Sequence, residues 1–142
     1  LVVVLGDGLA ADAIMHHAVR LVRELRRRLD DWSWAPLVLA EQARVALGDE
    51  TGELARSRFV VVLLGERPGL SVADSLGVYV THEPRVGKTD AERNCISNVH
   101  DRGLSLERAA FELAHLLRVA REKGLTGVGL QVETRDLVER LT

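Results

Sequence analysis

The sharpest feature of the hydrophobic pattern is an unbroken apolar run, Phe59-Val60-Val61-Val62-Leu63-Leu64. It is too short for a helix and rich in β-branched residues, which predicts a strand buried on both faces, as in a parallel sheet. Leu1-Val2-Val3-Val4-Leu5 reads the same way and is closed by Gly6-Asp7-Gly8. Between these runs the period changes. Ile14, Ala18, Leu21, Val22, Leu25 and Leu29 recur at three and four, predicting a long amphipathic helix from Ala10 to Leu29. Ser105 opens a second helix, with Leu106, Ala109, Ala110, Leu113, Leu116, Leu117 and Ala120 on one face and Gly124 as its stop.

The rest of the chain is more broken. Asp30 to Trp34 reads as a connector before a short strand at Leu37-Val38-Leu39-Ala40. Glu41 to Leu47 reads as irregular, Gly48 to Gly52 as a break, and Glu53 to Ser57 as a short helix. Ser71 to Leu76 is expected to form a helical turn capped by Ser71. Gly77-Val78-Tyr79-Val80-Thr81 alternates like a strand, and His82 to Lys88 reads as a loop. Thr89 to Asn98 is polar and poor in turn breakers. Gly127 to Val132 is expected to be a last strand and Asp136 to Leu141 a terminal helical turn. Apolar strands alternating with amphipathic helices predict an α/β fold, with a Rossmann-like, mostly parallel sheet flanked by helices.

Composition narrows the class. The chain has 142 residues, 46% hydrophobic and 28% charged, with a net charge of −2. This fits one globular domain over residues 1–142, large enough for a core. The near-neutral balance gives no electrostatic reason to expect nucleic acid or an anionic membrane, and Arg20, Arg23, Arg26, Arg27 and Arg28 read as a solvated helix face. No apolar run approaches the roughly 18 residues of a membrane span. The single cysteine, Cys95, excludes an internal disulfide and suits a reducing cytoplasm. The first apolar run lacks a basic leader and a cleavage site, so it reads as a core strand rather than a signal peptide. It also lacks an initiator Met, so part of the natural N-terminus is expected to be missing.

Several familiar sites are then tested. Gly6-Asp7-Gly8-Leu9-Ala10-Ala11 resembles the start of a dinucleotide fingerprint, with Ala11 for the third glycine, but no acidic residue ends a second strand. Gly87-Lys88-Thr89 lacks the upstream glycine of a phosphate loop. His16 and His17 are adjacent and diverge around a helix, while His82, His100 and His115 are scattered, so no metal site is expected. Cys95 has no local partner for nucleophilic chemistry and reads as a small packing residue. What stands out is Gly65-Glu66-Arg67-Pro68-Gly69-Leu70 directly after the main strand, since ligands collect at the carboxyl ends of strands in open α/β sheets. Glu66, Arg67, Arg85, Arg93, Asn94, Ser97 and Asn98 offer donors and acceptors without an acid/base pair. Such a rim suits a large amide-bearing ligand or a docked partner.

The segments Gly65 to Ser71, Asp74-Ser75-Leu76-Gly77, Pro84-Arg85-Val86-Gly87 and Asp90 to Asn98 resemble the small subunit of ethanolamine ammonia-lyase. Asp7-Gly8-Leu9 and Arg44 to Asp49 match it as well, in family order. The resemblance covers nearly the whole chain, and the family's N-terminal helical extension is expected to be missing here. It implies an adenosylcobalamin-dependent lyase that converts ethanolamine to acetaldehyde and ammonia by a radical mechanism. The large subunit would hold ethanolamine, and this chain would help enclose the cofactor between the two, in the cytoplasm. Whether a bacterial microcompartment surrounds the enzyme is left open. The family's cobalamin contacts map onto Val45, Glu66 and Cys95, with Ala43 in place of the glycine usual before Arg44. His82-Glu83 and Val99-His100-Asp101 also depart from common family residues. The chain lacks D-x-H-x-x-G, in agreement with the family's base-on cobalamin. The rival readings are a stand-alone flavodoxin-like nucleotide-binding domain and a scaffold subunit whose only role is contact with the large chain.

Overall fold

A computed structural model of the chain describes residues 1–130. Its centre is a five-stranded sheet in the order β2-β1-β3-β4-β5. The strands are β1 (Val2–Gly6), β2 (Val38–Ala40), β3 (Phe59–Glu66), β4 (Ser75–His82) and β5 (Arg93–Val99). The two apolar runs form the middle of the sheet, as their burial demands. Every residue of β1 is buried, and so is β3 up to Gly65.

The sheet is mixed, and this corrects the mostly parallel, Rossmann-like expectation. β1 pairs parallel with β2 and β3, but β3–β4 and β4–β5 are antiparallel. The reason lies in the connection. A parallel return needs a crossover of a dozen or more residues. Residues 67–74 between β3 and β4 are too few, and they form only a short 3₁₀ turn at Pro68–Leu70 followed by bends. The helical turn expected from Ser71 is therefore not formed. Asp74 instead accepts from the ring of His17, with Nε2 3.2 Å from Oδ2.

Helices flank both faces of the parallel half. The first is continuous from α1 (Ala11–Ala13) through a π-helical turn (Ile14–Ala18) into α2 (Val19–Arg28). Its buried Ala13, Ala18, Leu21 and Leu25, with α4 (Leu106–Lys123), cover the face carrying Val3, Leu5, Phe59, Val61, Leu63, Val78 and Val80. α4 begins as read: the Ser105 hydroxyl accepts from the Arg108 N–H at 3.3 Å, and Gly124 closes it at φ 68°.

The opposite face holds a smaller cluster of Val2, Val4, Val60, Val62, Leu64 and Ala43. It is covered by α3 (Leu47–Leu54), which replaces the expected glycine break and shifts the helix upstream. Gly48 and Gly52 lie inside this helix. A Cβ at Gly48 would collide with Val62, and one at Gly52 with Pro84, so the glycines let the helix lie close on the sheet. α3 stops short of β4 and β5, and among the described residues no helix covers that part of the face. At the far end, Gly127 to Leu130 forms a turn instead of the start of a strand. The expected terminal turn at Asp136 to Leu141 lies outside the described residues.

Candidate functional site

Because β1 and β3 are parallel neighbours, their carboxyl ends meet at one rim. The chain leaves β1 through α1 and α2 on one face and enters β3 from α3 on the other. Loops diverge at such a point and leave a crevice, the usual ligand position in open α/β sheets. A cleft of about 530 Å³ lies there. It is lined by Asp7 to Leu9, Gln42 to Val45, Leu64 to Pro68, and Tyr79.

Two glycines make its floor. Leu9 N–H donates to Gly65 O at 2.8 Å, bringing the β1 loop onto the end of β3. A Cβ at Gly65 would run into the Ala10 carbonyl, and Gly8 adopts φ +51° against the Gly65 carbonyl. The other wall is pinned by Asp7, whose Oδ1 accepts from Ala43 N–H at 3.2 Å. Backbone hydrogen bonds from Gln42 and Ala43 hold the Asp7 carboxyl below its usual range. Ala43 is buried, with its methyl against Gly6. Val45 follows, half-buried against the Val60 and Val62 cluster and facing the cleft.

Glu66 ends β3 on the same face. In register it sits opposite Ser75, with Leu64 opposite Gly77 and Val62 opposite Tyr79. Its carboxylate leans along β4 over Gly77, where a Cβ would stand 2.5 Å from the carboxyl carbon and 2.8 Å from Oε2. There Oε1 accepts a hydrogen bond from the Tyr79 hydroxyl. Desolvation, and then the Glu66 hydrogen bond, raise the Tyr79 phenol above its ordinary pKa. Next across the sheet, Tyr79 faces Cys95 of β5. Cys95 is exposed, with Sγ 3.2 Å from Ser97 Oγ, and partial desolvation pushes its thiol pKa up.

Val45 and Glu66 are thus brought together in the cleft, while Cys95 lies beside it on the same open face, one strand beyond Tyr79. The remaining polar residues named from the sequence divide. Arg67 lines the cleft and Ser97 flanks Cys95. Arg93 is turned inward onto Asp49. Asn94 accepts from Gly127 N–H at 2.7 Å, and Asn98 pairs with His100 at 2.9 Å, so both serve the local fold. Arg85 is exposed in the loop after β4. The sequence reading missed Tyr79 as a site residue. Its signal was the alternation of Gly77-Val78-Tyr79-Val80-Thr81, which puts the chain's single tyrosine on one face with Gly77.

In chemical terms the site is a concave acceptor. It presents the Asp7 and Glu66 carboxylates, flanking Arg44 and Arg67 guanidinium groups, and apolar walls from Val45 and Leu64. It opens sideways onto the part of the β4 and β5 face that no described helix covers. Fold and site together define an α/β domain with a cleft at the carboxyl ends of β1 and β3 that the described residues enclose only in part.

The sequence profile of the ethanolamine ammonia-lyase light chain (EutC) matches residues 1–131. The chain therefore belongs to the ethanolamine ammonia-lyase light-chain family. It is 51% identical to the ethanolamine ammonia-lyase small subunit of Pseudomonas fluorescens strain Pf0-1, over 95% of this chain and 50% of that protein. It is 50% identical to the small subunit of Bradyrhizobium diazoefficiens, over 99% of this chain and 55% of that one. With the small subunit of Azotobacter vinelandii it shares 53% identity, over 94% of this chain and 50% of that protein. The chain spans about half the length of these curated relatives.

Proposed function

We propose that this chain is the cofactor-covering domain of the small subunit of an adenosylcobalamin-dependent ethanolamine ammonia-lyase. Ethanolamine would bind in the large subunit, and the corrin would lie between that subunit and the cleft described here. The reading is carried by the placement of Val45 and Glu66 in the cleft at the carboxyl ends of β1 and β3, with Cys95 beside it on the same open face. The relatives' names point the same way. The proposed setting is the cytoplasm, inside a bacterial microcompartment where the cell builds one. No described helix is long and apolar enough to cross a membrane.

The residues fit the group. A cleft of about 530 Å³ falls within the size range of ordinary small-ligand pockets, about 300–1,000 Å³. A corrin with its nucleotide tail would overhang it, and the bare face of β4 and β5 gives the overhang somewhere to lie. The corrin edge carries primary amides, which donate hydrogen bonds that a carboxylate accepts. Beside Glu66, the buried Ser75 hydroxyl has no partner among the described residues. When bound, the cofactor supplies the radical chemistry through homolysis of its cobalt–carbon bond, and the protein supplies position and shielding. Glu66 would accept from a corrin amide or ribose hydroxyl, Val45 would give apolar contact, and Cys95 would pack without reacting.

The test is a titration of the reconstituted two-subunit enzyme with adenosylcobalamin, followed by corrin absorbance. Glu66→Ala leaves a donor unpaired in a partly dry interface, a cost of about 1–3 kcal/mol. Affinity should fall roughly ten- to a hundredfold, and less in Glu66→Gln. Unchanged affinity in Glu66→Ala would assign the residue to the fold or to the subunit contact.

A further inference from the structure

The Glu66 carboxylate is held as well as placed. Three strands contribute to the arrangement: Glu66 ends β3, Gly77 and Tyr79 belong to β4, and Cys95 lies opposite Tyr79 on β5. Gly77 leaves the slot that the carboxylate occupies, and Tyr79 closes the far end of that slot with its hydroxyl. A glutamate side chain at a strand end has three rotatable bonds and would ordinarily sample several rotamers. Here Oε1 is engaged. Among the described residues Oε2 has no hydrogen-bond partner, and neither Arg44 nor Arg67 forms an ion pair with it.

We propose that Tyr79 is the positioning residue of this cleft, fixing Oε1 of Glu66 so that Oε2 accepts from a ligand that brings an N–H or O–H donor. The inference rests on the cofactor reading of Glu66 and adds a residue and a selection rule to it. One oxygen is spent on the protein and one is left for the ligand, so the position recognises a primary amide or hydroxyl and repels a carboxylate or carbonyl edge. Pre-setting the carboxylate also spares the ligand the cost of ordering it. The groups that act on the phenol are Glu66 from β3 and Cys95 from β5, while Asp7, Arg44 and Arg67 line the same cleft. The upward shift of the phenol pKa is consistent with a hydroxyl held as donor.

The experiment uses the two-subunit complex and three variants: Tyr79→Phe, Glu66→Ala and the double variant. Tyr79→Phe keeps the ring and removes only the hydroxyl. Adenosylcobalamin affinity should fall about tenfold in Tyr79→Phe, the scale of one lost hydrogen bond. The double variant should bind no more weakly than Glu66→Ala alone, because coupled residues are non-additive. A second readout needs no cofactor. Ring-labelled tyrosine NMR, with the Tyr79 signal identified by its loss in Tyr79→Phe, should show ionisation above the ordinary range. That ionisation should move down in Glu66→Ala, because the Glu66 hydrogen bond and charge both raise it. Additive losses, or a Tyr79 ionisation indifferent to Glu66, would overturn the positioning role while leaving Glu66 as a cofactor contact. Unchanged affinity in Glu66→Ala, with the ionisation shift present, would remove the cofactor reading and this inference with it, and reduce the pair to a strut between β3 and β4.

Discussion

Arg93 of β5 grips Asp49 of α3 with both terminal guanidinium nitrogens, and their side chains are only 6% and 4% exposed. The second bond, Nη2 to Oδ2, measures 2.8 Å. The same guanidinium also donates to the Lys88 carbonyl at 3.1 Å. Residues far apart in sequence are thereby clamped across the edge of the uncovered face. Removing Asp49 leaves the buried guanidinium with only the exposed Asp90 carboxylate, 3.2 Å from its Nε, to offset the charge, at up to about 3–5 kcal/mol. Asp49→Ala is expected to lower the urea midpoint by a corresponding amount. A change of under about 0.5 kcal/mol, the level of an ordinary surface substitution, would show that water reaches the pair.

Acid should weaken the fold through three carboxylates. Asp31 is held below its usual pKa chiefly by the Arg118 side chain, Asp7 by the backbone N–H groups of Gln42 and Ala43, and Glu92 by that of Thr89. A carboxyl whose folded pKa is lowered stabilises the native state above its unfolded value and loses that stability as pH falls through the folded one. Melting temperature should therefore be level near neutrality and decline below about pH 4, where free carboxylates begin to protonate. Asp31→Asn should flatten part of the decline, and an identical pH profile in that variant would argue against the Arg118 contact.

Gly77 is expected to matter for binding more than for stability. A methyl there meets the tip of the Glu66 side chain, which can swing away, rather than backbone. Gly77→Ala should therefore keep the melting temperature within a few degrees while weakening adenosylcobalamin binding in the two-subunit enzyme about as much as Glu66→Ala. A fully stable variant with undiminished affinity would show that the carboxylate has another productive position.

Cys95 should behave as an unreactive thiol. Although the residue is exposed, partial desolvation is the largest cause raising its pKa, with the Glu66 charge adding to it. The thiolate is the reactive form, so alkylation by iodoacetamide should be slow at neutral pH and accelerate only above the ordinary thiol range. Cys95→Ala should retain substantial turnover in the complex, whereas loss of a true nucleophile removes most of the rate. Fast alkylation at neutral pH would contradict the first statement, and near-complete loss of turnover in Cys95→Ala the second.

Much of the architecture was legible where burial forces a pattern. The runs at Val2 and Phe59 had to be interior strands, and the spacing from Ser105 to Gly124 marked both ends of α4. Strand direction was not legible in the same way. A strand buried on both faces looks alike whether its neighbour is parallel or antiparallel, so only the brevity of residues 67–74 distinguished the cases. Gly48 and Gly52 suggested a break because their role, close approach of α3 to Val62 and Pro84, depends on residues distant in sequence. β5 was obscure because part of it is uncovered and Cys95, Ser97 and Asn98 have no core to face. At the site, Glu66 was visible from its place after the strand. Tyr79 was not, since its partner is set by cross-strand register.

The change from parallel to antiparallel pairing at β3 also bears on how the chain folds. β3, β4 and β5 follow one another as a meander, whereas joining β1 to β3 requires the helices and β2 to be gathered in between. Closing short loops carries the smaller entropic cost, and local pairings favour fast folding. The meander is thus the natural nucleus, with β1 docking later onto an edge already formed. Shortening side chains at the β3–β4 contact, as in Val78→Ala, should chiefly slow folding, whereas Val4→Ala in β1 should chiefly speed unfolding. On that order the Glu66–Tyr79 bond is present before the cleft acquires its other wall, and the last part of the molecule to assemble is the rim that β1 brings.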